Sequence, residues 1–323
     1  MDLRIDLVGG SASESPRTRN TDLILARVIS GTEMSREIRA ELAMEVSALS
    51  RRGVTPALAV ILVGVDAASE VYVKMKAQAC ERIGMVSRTF HLPAEIGRDE
   101  LFGVIDGLNA DPRIHGILVQ LPLPEHLPYK KILERVVPEK DVDGFHPLNA
   151  GRAFVGDPRG FVPATPAGIL EMLRREGVPT HGRHVVIVGR SLIVSKPLAS
   201  LLMAPGLNAT VTLTHKYTTD LPAHTRMADI LVVAVGKPGL ITADMVKPGV
   251  VVIDVGVTRV VDEGCASGYR IAGDVDFESV GRVAEAITPV PGGVGPMTIT
   301  MLLANTLKAA RSLAGETPAG SDG

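Results

Sequence analysis

Apolar residues recur along the chain in two alternating patterns. Short, predominantly apolar runs at 57–63, 114–119, 184–188, 229–235 and 250–255 have the length and β-branched content of strands buried on both faces. Between them the apolar positions fall at helical spacing. In 35–52, for example, Ile38, Leu42, Val46 and Leu49 share one face and Gly53 closes the segment. Further helices are predicted over 69–80, 98–109, 128–137, 165–175 (Thr165 as cap, Pro166 in the first position), from about Lys196, and over 297–313. Less regular strands are predicted at 85–92, 209–214 and 286–290. This alternation builds βαβ units and hence parallel sheets. Segment 145–161 has several Gly and Pro and no period, so it reads as a crossing between two domains.

Composition narrows the class. At 46% hydrophobic with 3% aromatic and no Trp, the cores must be aliphatic. Net charge is −2, with no basic excess to hold a nucleic-acid backbone and no basic amphipathic stretch for a membrane surface. No apolar run reaches the length of a membrane span. The two cysteines, Cys80 and Cys265, are far apart and outside any metal-ligand spacing, so neither a disulfide framework nor a metal site is expected and a cytoplasmic location fits. Residues 1–24 and 315–323 read as a disordered extension and a disordered tail.

In parallel α/β sheets, ligands bind where strands end. After strand 57–63 comes the helix with Tyr72 and Lys76, four residues apart on one face. Gln120 follows strand 114–119, and Asp143 sits in the turn Lys140-Asp-Val-Asp-Gly144. Lys76 in a partly apolar site would act as an acid–base group, with Gln120 bonding it without adding charge. Asp143 would accept hydrogen bonds from an amino-substituted heterocycle, and Tyr72 would stack on such a ring. Taken singly, each also reads as structural: a half-buried tyrosine, a solvated lysine, a capping carboxylate. Lys74 points elsewhere, Asp141 reads as the turn's cap, and His115 reads as a satisfied core histidine.

Gly189 lies between a buried strand and a helix, where a dinucleotide phosphate can rest, although Arg190, Ser191 and Ser195 replace the usual glycine spacing. The next strand ends in Thr214-His215-Lys216-Tyr217 without an acid. A carboxylate there would suit the ribose of NAD; Arg190 and Lys216 suit a 2′-phosphate instead, which predicts NADP. His215 and Val257 complete the expected cofactor-binding positions. The loop Pro291-Gly-Gly-Val-Gly-Pro296 lets backbone approach a ligand, so Pro291, Gly292 and Gly293 are expected substrate contacts.

Together these motifs resemble the bifunctional methylenetetrahydrofolate dehydrogenase/methenyltetrahydrofolate cyclohydrolase (FolD) family. The resemblance runs from about Ile29 to about Leu313. It is carried by Tyr72-Val-Lys-Met-Lys76, His115-Gly-Ile-Leu-Val-Gln-Leu-Pro-Leu-Pro124, Lys140-Asp-Val-Asp-Gly-Phe-His146, Gly189-Arg-Ser191 and Pro291-Gly-Gly-Val-Gly-Pro-Met-Thr298. It implies oxidation of 5,10-methylenetetrahydrofolate by NADP⁺ and hydrolysis of the product to 10-formyltetrahydrofolate in one site, within one-carbon metabolism and purine biosynthesis. It implies Lys76 as catalytic lysine, Gln120 as its support, Asp143 on the pterin, Tyr72 stacked on the folate, and Arg190 and Ser191 on the 2′-phosphate. It implies an α/β fold of two domains. A three-layer catalytic domain would hold 25–150 plus 296–314, its last helix returning from a Rossmann-like NADP domain at 151–295, in a homodimer. Ser195 departs from the family's usual glycine and would crowd or hydrogen-bond a pyrophosphate. Ser30-Gly31-Thr32 departs from the usual Asp-Gly-Lys in a region that reads as peripheral. The alternatives are a shikimate- or amino-acid-type dehydrogenase, or a folate-binding protein with impaired turnover.

Overall fold

A computed structural model describes residues 26–64, 67–262, 264–265 and 268–316. The expected lead-in at 1–24 lies outside the described residues, as do 317–323 of the expected tail and Val65-Asp66 of the turn after the first buried run. The chain opens with β1 (Arg27–Val28), α1 (Gly31–Arg51), β2 (Ala57–Val63), α2 (Ala67–Arg82), β3 (Val86–Leu92), α3 (Arg98–Ala110), β4 (Gly116–Val119) and α4 (Tyr129–Leu133). Two helices follow, α5 (Pro147–Val155) and α6 (Ala164–Arg175). The second half holds β5 (His184–Val188), α7 (Ser195–Met203), β6 (Thr210–Thr214), α8 (Leu221–Thr225), β7 (Ile230–Val233), β8 (Val251–Asp254), β9 (Thr258–Val261), β10 (Tyr269–Ala272), α9 (Phe277–Gly281), β11 (Ala286–Ile287) and α10 (Val294–Leu313).

The first sheet is parallel, in the order β3-β2-β4. Every residue of β2 is buried, and its side chains alternate between two cores. Leu58, Val60 and Leu62 join the apolar faces of α1, α2 and α10, whereas Ala57, Ala59, Ile61 and Val63 join Leu101, Ile105 and Leu108 of α3. That gives the three layers. The second sheet is also parallel, ordered β1-β11-β8-β7-β5-β6. Its connectivity reverses at β5, which lies between β6 and β7; this is the switch point at which α/β sheets bind ligands.

α10 returns to the first domain and packs against α1, α2 and α6, so one aliphatic core runs from α1 through α10 and α6 to the inner face of the second sheet. Its Gly295 and Pro296 fall in the first turn, where a missing N–H costs nothing.

Several elements differ from the sequence reading. α5 occupies a segment read as aperiodic, with Pro147 in its first turn, the His146 ring capping the Leu148 N–H at 3.0 Å, and Gly156 ending it at φ 76°. Its exposed apolar residues, Leu148, Phe154 and Val155, hide the period. The β9–β10 hairpin and β1 were not predicted: they are too short to show a period, and β1 depends on pairing with β11 at the far end of the chain. β1 therefore lies in the second sheet, although residues from 25 onward were expected with the first domain. Gly315 and Glu316 continue the ordered chain past the expected boundary, Glu316 pairing with Arg52 and Arg311.

α1 begins at Gly31, not at Ser35. Ser30 caps it, its Oγ accepting from the Glu33 N–H at 3.3 Å. Nor is this end of α1 peripheral, as the sequence suggested. The Thr32 N–H donates to the Gly292 carbonyl at 2.9 Å, and a Cβ on Gly31 would land on the Gly293 carbonyl. Only glycine permits so close a backbone approach. Gly31→Ala is therefore expected to destabilise the protein by about 1–3 kcal/mol, as for an overpacked core. Urea unfolding checks this; an unchanged midpoint and slope would show that the contact yields without cost.

Candidate active site

Parallel register brings the candidate groups of the first domain to one edge. β4 runs beside β2, and the chain at Asp141 bridges in parallel to Ile117 of β4. Gln120, three residues beyond Ile117, and Asp143, two beyond Asp141, leave that edge together, where α2 presents Lys76. Lys76 Nζ donates to Gln120 Oε1 at 2.9 Å, and the Gln120 amide donates onward to the Leu121 carbonyl at 2.7 Å. These three line a pocket of about 200 Å³ with Thr165, Ile193 and Thr298.

The pocket suppresses charge on both ionisable groups. Burial pulls the Lys76 pKa down, against the attraction of Asp143 that raises it. Burial pushes Asp143 up to about 6, partly offset by Lys76 and reinforced by Asp141. Desolvation thus outweighs pairing for both members, which leaves the lysine readier to give up its proton than an exposed lysine would be.

Neighbouring polar residues divide as the sequence suggested. Asp141 accepts from the backbone N–H of Phe145 (3.2 Å) and His146 (2.8 Å) and from the Asn149 amide (2.9 Å), holding the turn that aims Asp143. His115 Nδ1 accepts from the Ala57 N–H at 3.2 Å, and burial lowers its pKa, so it is a neutral core histidine. Lys74 is exposed. Thr165 departs from expectation: α6 starts at Ala164, and the Thr165 hydroxyl pairs with that of Thr298 on α10 at 3.1 Å instead of capping. Nothing local distinguishes these threonines; the contact spans two distant helices.

Tyr72, one turn of α2 before Lys76, lines a larger cavity of about 660 Å³. Pro291, Gly292 and Gly293 form one wall of it, Val257 and Arg259 another. The expected substrate positions and Val257 therefore meet around Tyr72, one helical turn from Lys76. Arg39, which the sequence did not single out, secures the glycine loop from behind by donating to the Pro296 carbonyl (3.1 Å) and Thr300 Oγ1 (2.8 Å). Two buried carboxylates secure the opposite side. Asp254 accepts from the N–H groups of Gly256, Asp274 and Val275 at 2.9–3.0 Å, and Asp274 accepts from Val235 and Gly236 at 2.7 and 2.9 Å.

At the switch point of the second sheet, Gly189 has φ 135°, and a Cβ there would sit 2.5 Å from the Ala234 carbonyl. Ser191 Oγ accepts from the N–H groups of Val194 (3.1 Å) and Ser195 (3.3 Å), closing the first turn of α7. The Ser195 side chain is fully buried against Gly189, and its Oγ has no hydrogen-bond partner among the described residues. It thus contributes from inside the turn, not from the cleft surface. At the end of β6, the guanidinium of Arg190 and the amine of Lys216 lie 5.5 and 4.9 Å from the Tyr217 ring centre. His215 builds this turn: its Nδ1 accepts from the Tyr217 N–H at 3.2 Å. The nearest acid in sequence, Asp220, is occupied capping α8. Two cations around an aromatic ring and a glycine cradle fit a dinucleotide carrying an extra phosphate.

Two family sequence models match the chain. One, described as the tetrahydrofolate dehydrogenase/cyclohydrolase catalytic domain, covers residues 29–143; the other, the NAD(P)-binding domain of the same family, covers 163–314. The chain is 68% identical over 287 residues to bifunctional protein FolD 1 of Myxococcus xanthus, covering 89% of this chain and 98% of that one. It is 55% identical to bifunctional protein FolD of Geobacillus thermodenitrificans, covering 90% and 99%. Among solved structures, the bifunctional FolD of Campylobacter jejuni superposes with a TM-score of 0.85 at 46% identity, covering 89% of this chain and 99% of that one. The dehydrogenase-cyclohydrolase of Trypanosoma brucei, solved with NADP cofactor and inhibitor, gives 0.85 at 40%, covering 89% and 98%.

Because Asp143 binds its proton more tightly folded than unfolded, its contribution to stability is lost as pH rises from about 4 through about 6. Asp143→Asn is therefore expected to be more stable than the parent at pH 8, by about 1–3 kcal/mol, with no difference below about pH 4. Thermal unfolding across that range checks it; a variant less stable at pH 8 would mean that the Lys76 attraction dominates.

Proposed function

The chain belongs to the tetrahydrofolate dehydrogenase/cyclohydrolase family, and we propose that Lys76 handles the protons of its chemistry in the pocket shared with Gln120 and Asp143. The protein is a bifunctional NADP-dependent enzyme. It oxidises 5,10-methylenetetrahydrofolate to the 5,10-methenyl form and hydrolyses that to 10-formyltetrahydrofolate. This family membership replaces the shikimate- and amino-acid-type alternatives.

The observation that carries the role of Lys76 is its 2.9 Å hydrogen bond to Gln120 inside a pocket that lowers its pKa. Loss of hydride leaves the former methylene carbon as an amidinium cation. Water adds at this carbon, and neutral Lys76 takes its proton as the C–O bond forms. The same proton returns to N5 as the C–N5 bond breaks, and the remaining hydroxyl proton leaves to solvent as the C=O forms, so that the formyl group stays on N10 and one proton is released overall. Gln120 orients the amine through an uncharged acceptor, so it does not raise the lysine pKa as a carboxylate would. Asp143 accepts hydrogen bonds from the pterin, and Tyr72 offers its ring to the p-aminobenzoyl group.

NADP⁺ supplies the hydride acceptor when bound. Gly189, Arg190 and Ser191 would hold it, with Lys216 and Arg190 on the 2′-phosphate. Holding folate and nicotinamide on facing walls of one cleft converts an encounter into a positioned transfer. A homodimeric assembly, a cytoplasmic location and a supply of one-carbon units to purine biosynthesis complete the proposal, on the strength of the family resemblance.

Lys76→Ala is expected to lower the hydrolysis of methenyltetrahydrofolate by about 10²-fold or more while NADP⁺ still binds. Loss of the methenyl absorbance follows the reaction, and hydrolysis at the parent rate would refute the role. Arg190→Gln and Lys216→Gln are each expected to raise the KM for NADP⁺ about tenfold, the scale of one charge-assisted phosphate contact. The KM for NAD⁺ should not move, and equal changes for both cofactors would remove the 2′-phosphate assignment.

A further inference from the structure

The cavity around Tyr72 has a feature that the pterin chemistry does not use. Among its lining residues Arg259 is the one cation. It stands on β9 of the hairpin, exposed, with its guanidinium 4.8 Å from the centre of the Tyr269 ring across the hairpin. Stacking on an aromatic face holds a guanidinium in place while leaving its N–H edge open. Arg259 makes no ion pair among the described residues. The cavity's one carboxylate, Asp254, is engaged by three backbone N–H groups and does not compete for it. Thr32, at the start of α1 on the same cavity, is uncharged.

The direction of the cleft matters. Lys76, Gln120 and Asp143 line one pocket, Tyr72 is one helical turn nearer the start of α2, and Arg259 shares the Tyr72 cavity but not the Lys76 pocket. Burial raises the Tyr72 phenol pKa, and Arg259 is close enough that its charge offsets part of that rise. A folate laid with its pterin at Asp143 and its p-aminobenzoyl ring on Tyr72 carries its glutamate outward along this line. The glutamate bears two carboxylates and needs a cation there.

We propose that Arg259, braced on Tyr269, is the anchor for the glutamate carboxylates of the folate substrate, and that the β9–β10 hairpin is thereby a substrate-specificity element. This rests on the functional reading above. An Arg–carboxylate contact at a half-open site should be worth a modest factor in binding and nothing in the chemical step, because the tail lies far from the reacting carbon.

The test compares two substrates in the dehydrogenase assay: 5,10-methylenetetrahydrofolate, and its tetrahydropteroyl amide analogue, which ends in a neutral amide instead of glutamate. Arg259→Gln should raise the KM for the folate about three- to tenfold with kcat unchanged. It should leave the KM for the amide analogue and for NADP⁺ where they were. Arg259→Lys, which keeps the charge but loses the bidentate fork, should fall between. Equal KM changes for both folate substrates, or a fall in kcat, would overturn the inference, since either would place Arg259 in hairpin folding or cofactor contact. If the parent protein turned over neither substrate, the functional reading itself would fall, and this inference with it.

Discussion

The active site depends on the parallel register of β2, β4 and the chain that bridges to β4 at Asp141. Because parallel strands end on the same edge, three residues separated by 44 and 23 positions are delivered to one pocket. A slip of one residue in β4 would turn Gln120 to the opposite face of the sheet. Burial of every β2 side chain in one of two aliphatic cores excludes that slip.

The same burial creates the chemistry. An exposed Lys–Asp pair would stay charged and be worth little. At the sheet edge, between the two domains, the cost of desolvation exceeds the mutual attraction of Lys76 and Asp143, and both pKa values move toward neutrality. The site is therefore held in a state that folding alone would disfavour. The surrounding structure maintains it: Asp141 ties down the turn before Asp143, and the Gln120 amide is locked to the adjoining carbonyl. Strained or disfavoured groups of this kind persist where function requires them.

α10 makes the two domains one machine. It begins in the glycine loop beside Tyr72, carries Thr298 into the Lys76 pocket, and then packs along α1 and α6. Gly31 lets α1 touch the loop backbone, and Arg39 fastens its far end. The second domain answers with Asp254 and Asp274, which pin the ends of β7 and β8 and the base of the hairpin. Loops on the two sides of the cleft are thus braced by buried hydrogen bonds rather than by their own sequences, so the ligand meets a largely preformed surface.

The sequence by itself determined most of the elements and the chemistry. Unbroken apolar runs and helical periods are local consequences of burial, and so β2, β4, β5 and most of α1, α3 and α10 can be read from them. The pairing of Tyr72 with Lys76 is likewise local, being one turn of helix. The absence of an acid after β6 and the family motifs, from Lys76 to the glycine loop, were equally legible. Tertiary structure alone decided what depends on residues far apart in the chain. β1 becomes a strand only because β11 lies beside it, and Thr165 leaves its cap for a partner 133 positions away. Ser30-Gly31-Thr32 ceases to be peripheral because the glycine loop docks on it, and Arg259 becomes part of the Tyr72 cavity because the β9–β10 hairpin lines it. Periodicity reports how one segment meets solvent; it carries no record of which distant segment completes the contact.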